Sequence, residues 1–177
     1  EIKRAQELDP LSLAINVWVG WIEAYSGQGD EALEQILRTK EMDPNFLLTR
    51  HRLALLYADR GMYDEALAEG NEMLHISNGR LGASTLGYIY AKMGKRKEAL
   101  DQIDSLVSES QKRFVSPGSI AMIHTILGDK DEAFEWLERA NQEHDLLAVR
   151  VKTDPRFANL RGDLRLDDFI KRLKLPE

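Results

Sequence analysis

The feature that most constrains this chain is a repeat of about 34 residues, which fixes the unit of folding before any single motif is considered. Four segments align: Gly29-Asp30-Glu31-Ala32-Leu33, Gly61-Met62-Tyr63-Asp64-Glu65-Ala66-Leu67, Gly94-Lys95-Arg96-Lys97-Glu98-Ala99-Leu100 and Gly128-Asp129-Lys130-Asp131-Glu132-Ala133-Phe134. Their alanines, at 32, 66, 99 and 133, are 34, 33 and 34 residues apart. A ring side chain stands four residues before each glycine, as Tyr25, Tyr57, Tyr90 and His124. Asp9-Pro10 and Asp43-Pro44 also recur at a spacing of 34, and the first turn is two residues shorter than the others on this alignment. The 177 residues therefore amount to about five units, none of which buries its apolar face without stacking on a neighbour.

Within each unit the apolar residues fall three and four apart, as in Leu53, Leu56 and Tyr57 or Ala66, Met73 and Leu74, which is the signature of two amphipathic helices. Small residues at the repeated alanine positions let those helices approach closely. Gly61, Gly94 and Gly128 each follow a helix and are free to take the left-handed conformation that ends it. The Glu before every repeated Ala sits in the first turn of the second helix, facing the positive end of the helix dipole. Each Asp-Pro stops a helix, because the residue before proline avoids the helical region and proline lacks an N–H. The expected fold is all-α, with helix pairs at about 13–42, 46–76, 79–110 and 116–143 inside a repeat region of residues 13–145. Residues 1–12 are expected to be the second helix of a unit whose first helix lies upstream. Residues 146–177 are expected to form a C-terminal cap with Leu166, Phe169, Ile170 and Leu173 on one helical face. The opening Glu-Ile-Lys-Arg has no initiator Met, signal core or transit pattern and reads as an excerpt from a longer protein.

These residues resemble the tetratricopeptide repeat, a 34-residue helix–turn–helix unit patterned W-x2-L-G-x2-Y, then A-x3-F, then P. Leu86-Gly87 followed by Tyr90 matches the first element closely, and Trp18, Trp21, Ile22 and Tyr25 fill equivalent places in the first unit. The second element appears as Ala32/Ile36, Ala99/Ile103 and Ala133/Leu137. In the second unit Gly70 replaces the large residue, a departure expected to loosen packing between the second and third units. The resemblance covers roughly residues 1–145 and implies a right-handed superhelix, an α-solenoid closed by a C-terminal capping helix, with a concave groove lined by five positions of each first helix. Counted from 15, 47, 80 and 114, the implied groove residues are Asn16, Val19 and Glu23, then Leu48, His51, Leu55 and Asp59. The third unit gives Leu81, Ser84, Tyr88 and Lys92, and the fourth Val115, Met122, Thr125 and Ile126.

Val19, Leu55, Tyr88 and Met122 form an apolar strip flanked by Glu23, His51, Asp59 and Lys92, with Tyr88 and Met122 as the natural anchors. The other reading, that some of these residues pack against neighbouring units or an inserted helix, stands beside it. Chaperone-docking members of the family grip a carboxylate with Lys and Asn, where this chain has Val19/Glu23, His51/Leu55, Ser84/Tyr88 and Gly118/Met122. No basic clamp emerges, and an apolar or amphipathic peptide or helix is the better fit. The tail, Asp154-Pro155-Arg156-Phe157 with Leu160-Arg161 and Asp163, is similar to the ending of tetratricopeptide arrays in multidomain bacterial regulators, where the array follows a winged-helix DNA-binding, protein-kinase or nucleotide-cyclase domain.

Residues suited to chemistry are sparse. The chain has no cysteine, which removes thiol nucleophiles and cysteine-ligated metals. His51, His75, His124 and His144 include no i, i+4 pair of the kind that binds zinc on a helix, and His124 takes a ring position that suits packing. The paired glycines of Gly27-Gln28-Gly29 and Gly79-Arg80-Leu81-Gly82 neither follow a strand nor lead to Lys-Ser/Thr. Ser116-Pro117-Gly118-Ser119 reads as a helix start, with Ser116 as N-cap and Pro117 in the first position. Carboxylate pairs such as Glu31/Glu34 and Asp167/Asp168 are common on solvated faces and carry no catalytic information.

No apolar run approaches the roughly 18 residues of a membrane span, and a net charge of −6 argues against nucleic-acid binding. Residues from Leu146 onward carry eight Lys/Arg against five Asp/Glu, or +3, which leaves −9 on residues 1–145. That asymmetry either complements a capping helix or lets a basic end dock on the acidic array of another copy. The expectation is a non-catalytic, cytoplasmic protein-interaction module with no cofactor or metal, part of a larger bacterial signalling or regulatory protein. It would hold a partner peptide or helix, or its own effector domain, in the groove. The alternative is a self-association scaffold, a homo-oligomer formed through the basic cap or through the N-terminal face with Ile2, Ala5 and Leu8.

Overall fold

The computed structural model describes residues 1–173, which form eleven α-helices and one 3-10 turn and contain no strand. A single helix, α1 (Ile2–Leu8), precedes four helix pairs. These are α2 (Leu13–Tyr25) with α3 (Gly29–Met42), α4 (Leu47–Asp59) with α5 (Tyr63–Ile76), α6 (Ala83–Lys92) with α7 (Arg96–Ser110), and α8 (Pro117–Leu127) with α9 (Lys130–Gln142). Then come α10 (Leu146–Arg150), a 3-10 turn (Pro155–Leu160) and α11 (Leu164–Arg172). The chain divides into two compact units, Glu1–Ile89 and the residues from Tyr90 onward. Within each unit consecutive helices pack in sequence order, the arrangement of an all-α, tetratricopeptide-like solenoid.

The helix ends follow the local chemistry. Asp9 and Asp43 are the C-caps of α1 and α3, each stopped by the proline that follows. Ser116 caps α8 by accepting the Ser119 N–H at 3.1 Å, with Pro117 in the first turn. The second helices of all four pairs carry acids in the first turn: Asp30 and Glu31, Asp64 and Glu65, Glu98, Asp131 and Glu132.

The repeat register differs from the sequence count in the first unit. Among the described residues seven glycines have positive φ, including Gly27, Gly61, Gly94, Gly128 and Gly162, at 79°, 75°, 73°, 84° and 83°. Gly29 already lies inside α3. Four of these turns close with equivalent backbone bonds, from Gln28 N–H to Glu23, Met62 to Tyr57, Lys95 to Tyr90 and Asp129 to His124. The first turn is therefore full length, and Glu23, rather than Tyr25, stands at the ring position. The Gly-Asp-Glu-Ala match had pulled the alignment two residues forward, whereas the backbone places its glycine where φ is positive. At the corrected register the first-unit positions counted as Asn16, Val19 and Glu23 become Ala14, Val17 and Trp21, and the two remaining positions fall on Ala24 and Tyr25.

Gly70 also behaves differently from expectation. It is buried, and a Cβ built on it would stand 2.7 Å from the Leu86 side chain and 3.4 Å from Ile89. Its missing side chain admits α6 against α5 and tightens that contact instead of loosening it. Gly20 and Gly118 act alike, with built Cβ atoms 2.5 Å from the Ile36 side chain and 2.5 Å from Leu147 Cβ.

Candidate interaction surface

Burying a polar side chain in such a core is costly unless its hydrogen-bonding groups are matched. Unit 1 solves this twice with one geometry and two chemistries. Asn16 donates to the Pro10 and Ser12 carbonyls at 2.8 and 2.9 Å, and accepts from Gln6 at 2.7 Å and Gln35 at 2.9 Å. Thirty-four residues on, Arg50 donates to the Pro44 carbonyl at 2.7 Å and to Glu69 at 2.7 Å, and Glu69 also receives Lys40. Gln6, Asn16 and Gln35 thus correspond position by position to Lys40, Arg50 and Glu69. The first knot is neutral and the second ionic. Each ties the helix that precedes a pair to both helices of that pair.

The apolar strip read from the sequence is core. Val19, Leu55, Tyr88 and Met122 are 2, 0, 1 and 3% exposed. Tyr88 donates its hydroxyl to Asp59, and His51 Nδ1 lies 2.8 Å from Thr85 Oγ1, so the candidates His51, Asp59 and Tyr88 are tied across neighbouring first helices. Glu23 pairs with Lys3 at 3.0 Å. In unit 2, Thr125 is buried and donates to the Ala121 carbonyl at 2.8 Å, Val115 is buried, and Ile126 is half-buried. Leu48, Ser84 and Lys92 are half-buried, while Asp59 is exposed. Leu81 sits in the loop before α6 and is 46% exposed, and Tyr25 at the end of α2 is 44% exposed. On and beside its first helices unit 1 leaves Ile22, Tyr25, Asp59 and Leu81 exposed and Leu48 and His51 half-buried, a rim beside locked anchors.

A cluster not read from the sequence supports this rim. The buried Arg52 guanidinium lies 4.0 Å from the Trp21 ring centre and 5.1 Å from Trp18, and Trp21 meets Tyr25 edge-on at 5.0 Å. The available signal was the repeat itself, since Arg52 follows Trp18 by 34 residues. Tyr57 nearby is pushed above its ordinary pKa by burial and by the negative charges of Glu69 and Glu65.

The basic tail of unit 2 is largely engaged within the unit. Asp154 receives both Arg156 Nε at 2.9 Å and its guanidinium NH2 at 2.5 Å, while Phe157 and Leu160 are fully buried. Arg165 binds Asp163 through two nitrogens at 3.0 and 2.9 Å and Asp131 at 2.6 Å, and stacks 4.4 Å from the Phe134 ring. Arg172 forks onto Glu138. These bonds hold the Asp163 carboxyl down to about 2 and raise the Arg165 and Arg172 guanidiniums further above their ordinary values. Asn159 donates to the Thr125 carbonyl at 3.2 Å. The contacts Thr125–Asn159, Asp131–Arg165 and Glu138–Arg172 all join residues 34 apart, so the tail keeps the repeat's register after losing its sequence pattern.

Among the described residues no three His, Asp or Glu side chains gather as a metal site, and no helix is long and apolar enough to cross a membrane. His124 lies 3.3 Å from Asp129, which also binds Arg96. The class these features define is a helix-pair repeat protein whose polar groups are spent on joining one repeat to the next. The tetratricopeptide repeat family model matches residues 118–142, the span of α8 and α9, and this segment is similar to that repeat. No curated protein matches the chain. Tetratricopeptide repeats generally mediate protein–protein interactions, and their all-α fold is typically a non-catalytic interaction module.

Proposed function

We propose that this chain is a non-catalytic protein-interaction module that holds an apolar or amphipathic segment of a partner, or of an effector domain in its own protein, against the first-helix side of unit 1. The observation that carries this reading is the accessible rim of Tyr25, Leu48, His51, Asp59 and Leu81 set on anchors that are already buried. Apolar side chains kept accessible beside a rigid, satisfied core give contact area with little ordering cost on binding. The tail's likeness to array endings in bacterial regulators supports reading the module as a cytoplasmic part of a larger signalling protein. The test compares partners captured by the wild type and by Leu48→Asp plus Leu81→Asp. Equal recovery of the same partners would remove this face from the account.

A second reading is self-association through α1. No residue of α1 is buried, and Leu8 and Leu11 are 73 and 76% exposed. Apolar surface left open in this way tends to recruit another surface. Light scattering over a concentration series, with Leu8→Asp as comparison, decides it: an unchanged monomer mass throughout rejects this face as a contact.

A further inference from the structure

Unit 2 carries an apolar patch that its core does not use. Phe114, in the connection before α8, is 65% exposed, and Leu146 and Val149 on α10 are 70 and 42% exposed. The buried Asp145 carboxylate draws the two segments together, accepting Ser116 Oγ at 2.5 Å, the Gly118 N–H at 2.8 Å and the Leu147 N–H at 2.9 Å. Phe114 and Leu146 therefore stand two residues and one residue from a single bonded pair. Gly118 makes room for Leu147, whose Cβ lies 2.5 Å from where a Cβ on residue 118 would be. Leu146, Val149 and Arg150 share one face of α10 at the i, i+3, i+4 spacing. The flanks are basic, with Lys112 and Arg113 before Phe114, and Arg150 and Lys152 after Val149. Glu109 holds Arg113 at 2.9 Å and Lys112 more loosely at 3.7 Å, while the charge of Asp145 is spent on its own donors.

We propose that this patch docks an acidic amphipathic segment of a partner protein, laid along α10 and the connection before α8. The occupant follows from what the patch presents. An aromatic ring beside two aliphatic side chains, on backbone already held by hydrogen bonds, gives contact area with little left to order on binding. The cations around it select for Asp and Glu on the partner and speed the encounter. An anionic lipid surface is the poorer match, because the chain as a whole carries −6 and the same lipids that attract four cations repel the rest of it. The patch lies in unit 2 and shares no residue with the first-helix rim or the α1 face. It therefore goes beyond both of those readings and stands or falls independently of them.

The probe is a fluorescein-labelled peptide with Leu and Phe on one helical face and Glu on both flanks, and its counterpart carries Lys in place of every Glu. Fluorescence anisotropy is read on the full chain and on two variants. Phe114→Ser with Leu146→Ser removes the apolar surface and keeps the charge, whereas Lys112→Glu with Lys152→Glu reverses the charge and keeps the apolar surface. All four positions are exposed, so both variants are expected to keep the wild-type circular dichroism. Should the serine pair lose its helical signal, the charge-reversed chain still decides. Saturable binding of the Glu peptide to the wild type is expected, weakened about tenfold by either variant and further by added salt. The Lys peptide is expected not to bind. No saturable binding of the Glu peptide to the wild type, equal affinity for the wild type and either folded variant, or equal binding of the two peptides overturns the proposal. Phosphatidylserine vesicles form the last arm. If they sediment the wild type but not the serine pair, with no peptide bound, the patch belongs to a lipid surface and the proposal is overturned as well.

Discussion

At the scale of single residues, the glycines and the knot residues decide more than the conspicuous aromatics. Gly118 is the sharpest case, since a Cβ there would meet Leu147 Cβ at 2.5 Å and Asp145 Oδ2 at 3.0 Å, and neither is the loose end of a long side chain. Asp145 is committed at this point, accepting Ser116 Oγ and the Gly118 N–H. Gly118→Ala should therefore cost about 1–3 kcal/mol in urea unfolding, although alanine is the better helix former. Tyr88 is fully packed and donates its hydroxyl to Asp59. Tyr88→Phe should lose about 1 kcal/mol, and Tyr88→Ala about 3–5 kcal/mol. A binding defect in Tyr88→Ala would thus report unfolding, which is why Leu48 and Leu81 make the better probes.

At the scale of elements, the two polar knots and the cap are the joints. Removing Glu69 from the ionic knot leaves two like charges, Lys40 and the buried Arg50, without their shared partner, whereas the neutral knot loses only hydrogen bonds. Glu69→Ala should cost about 3 kcal/mol, with Lys40 and Arg50 left facing each other, and Gln35→Ala about 1 kcal/mol. Denaturation of the two variants side by side checks the contrast, and equal losses would contradict it. The cap gives a pH prediction. Asp163 titrates at about 2 when folded against an ordinary 3.8, so its unfolded form takes up a proton first as pH falls. The stabilisation it lends α11 is complete above about pH 4 and is lost as pH drops through about 2. Asp163→Asn should flatten that part of the pH–stability curve of unit 2 while leaving neutral-pH unfolding cooperative.

At the scale of the whole molecule, much of the fold was legible because a repeat states it several times. Spacings of 34 residues, Asp-Pro stops and first-turn acids located the helix pairs, and a single unit would have carried too little signal. The register of the first unit was not legible in the same way. Two glycines two residues apart both satisfied the pattern, and only backbone φ separates Gly27 from Gly29. The rim at Tyr25, Leu48 and Leu81 was half legible: Leu48 and Leu81 were counted, and Tyr25 was assigned to a ring position that Glu23 holds. Leu81 is exposed and Leu48 half-buried, so Leu48→Asp plus Leu81→Asp should keep the helical signal and lose about 1–2 kcal/mol, most of it at Leu48. A larger loss would show that these side chains belong to the core.

The sequence by itself determined that the chain folds as stacked helix pairs, because periodicity, caps and breakers act within a few residues of one another and survive without tertiary contacts. It also determined the corresponding positions of the two knots, since residues 6, 16 and 35 and residues 40, 50 and 69 are linked by the repeat. Only the tertiary structure decided which side chains of the first helices face inward. A position in a repeat says where a side chain starts, and burial depends on what the next helix brings against it. Leu55 and Tyr88 went to the core for that reason, and Gly70 and Gly118 became contact points because the atoms they make room for lie in other helices. The tail shows the same division: its sequence had left the repeat, but Arg165 and Arg172 keep the 34-residue step because Asp131 and Glu138 wait one repeat behind them.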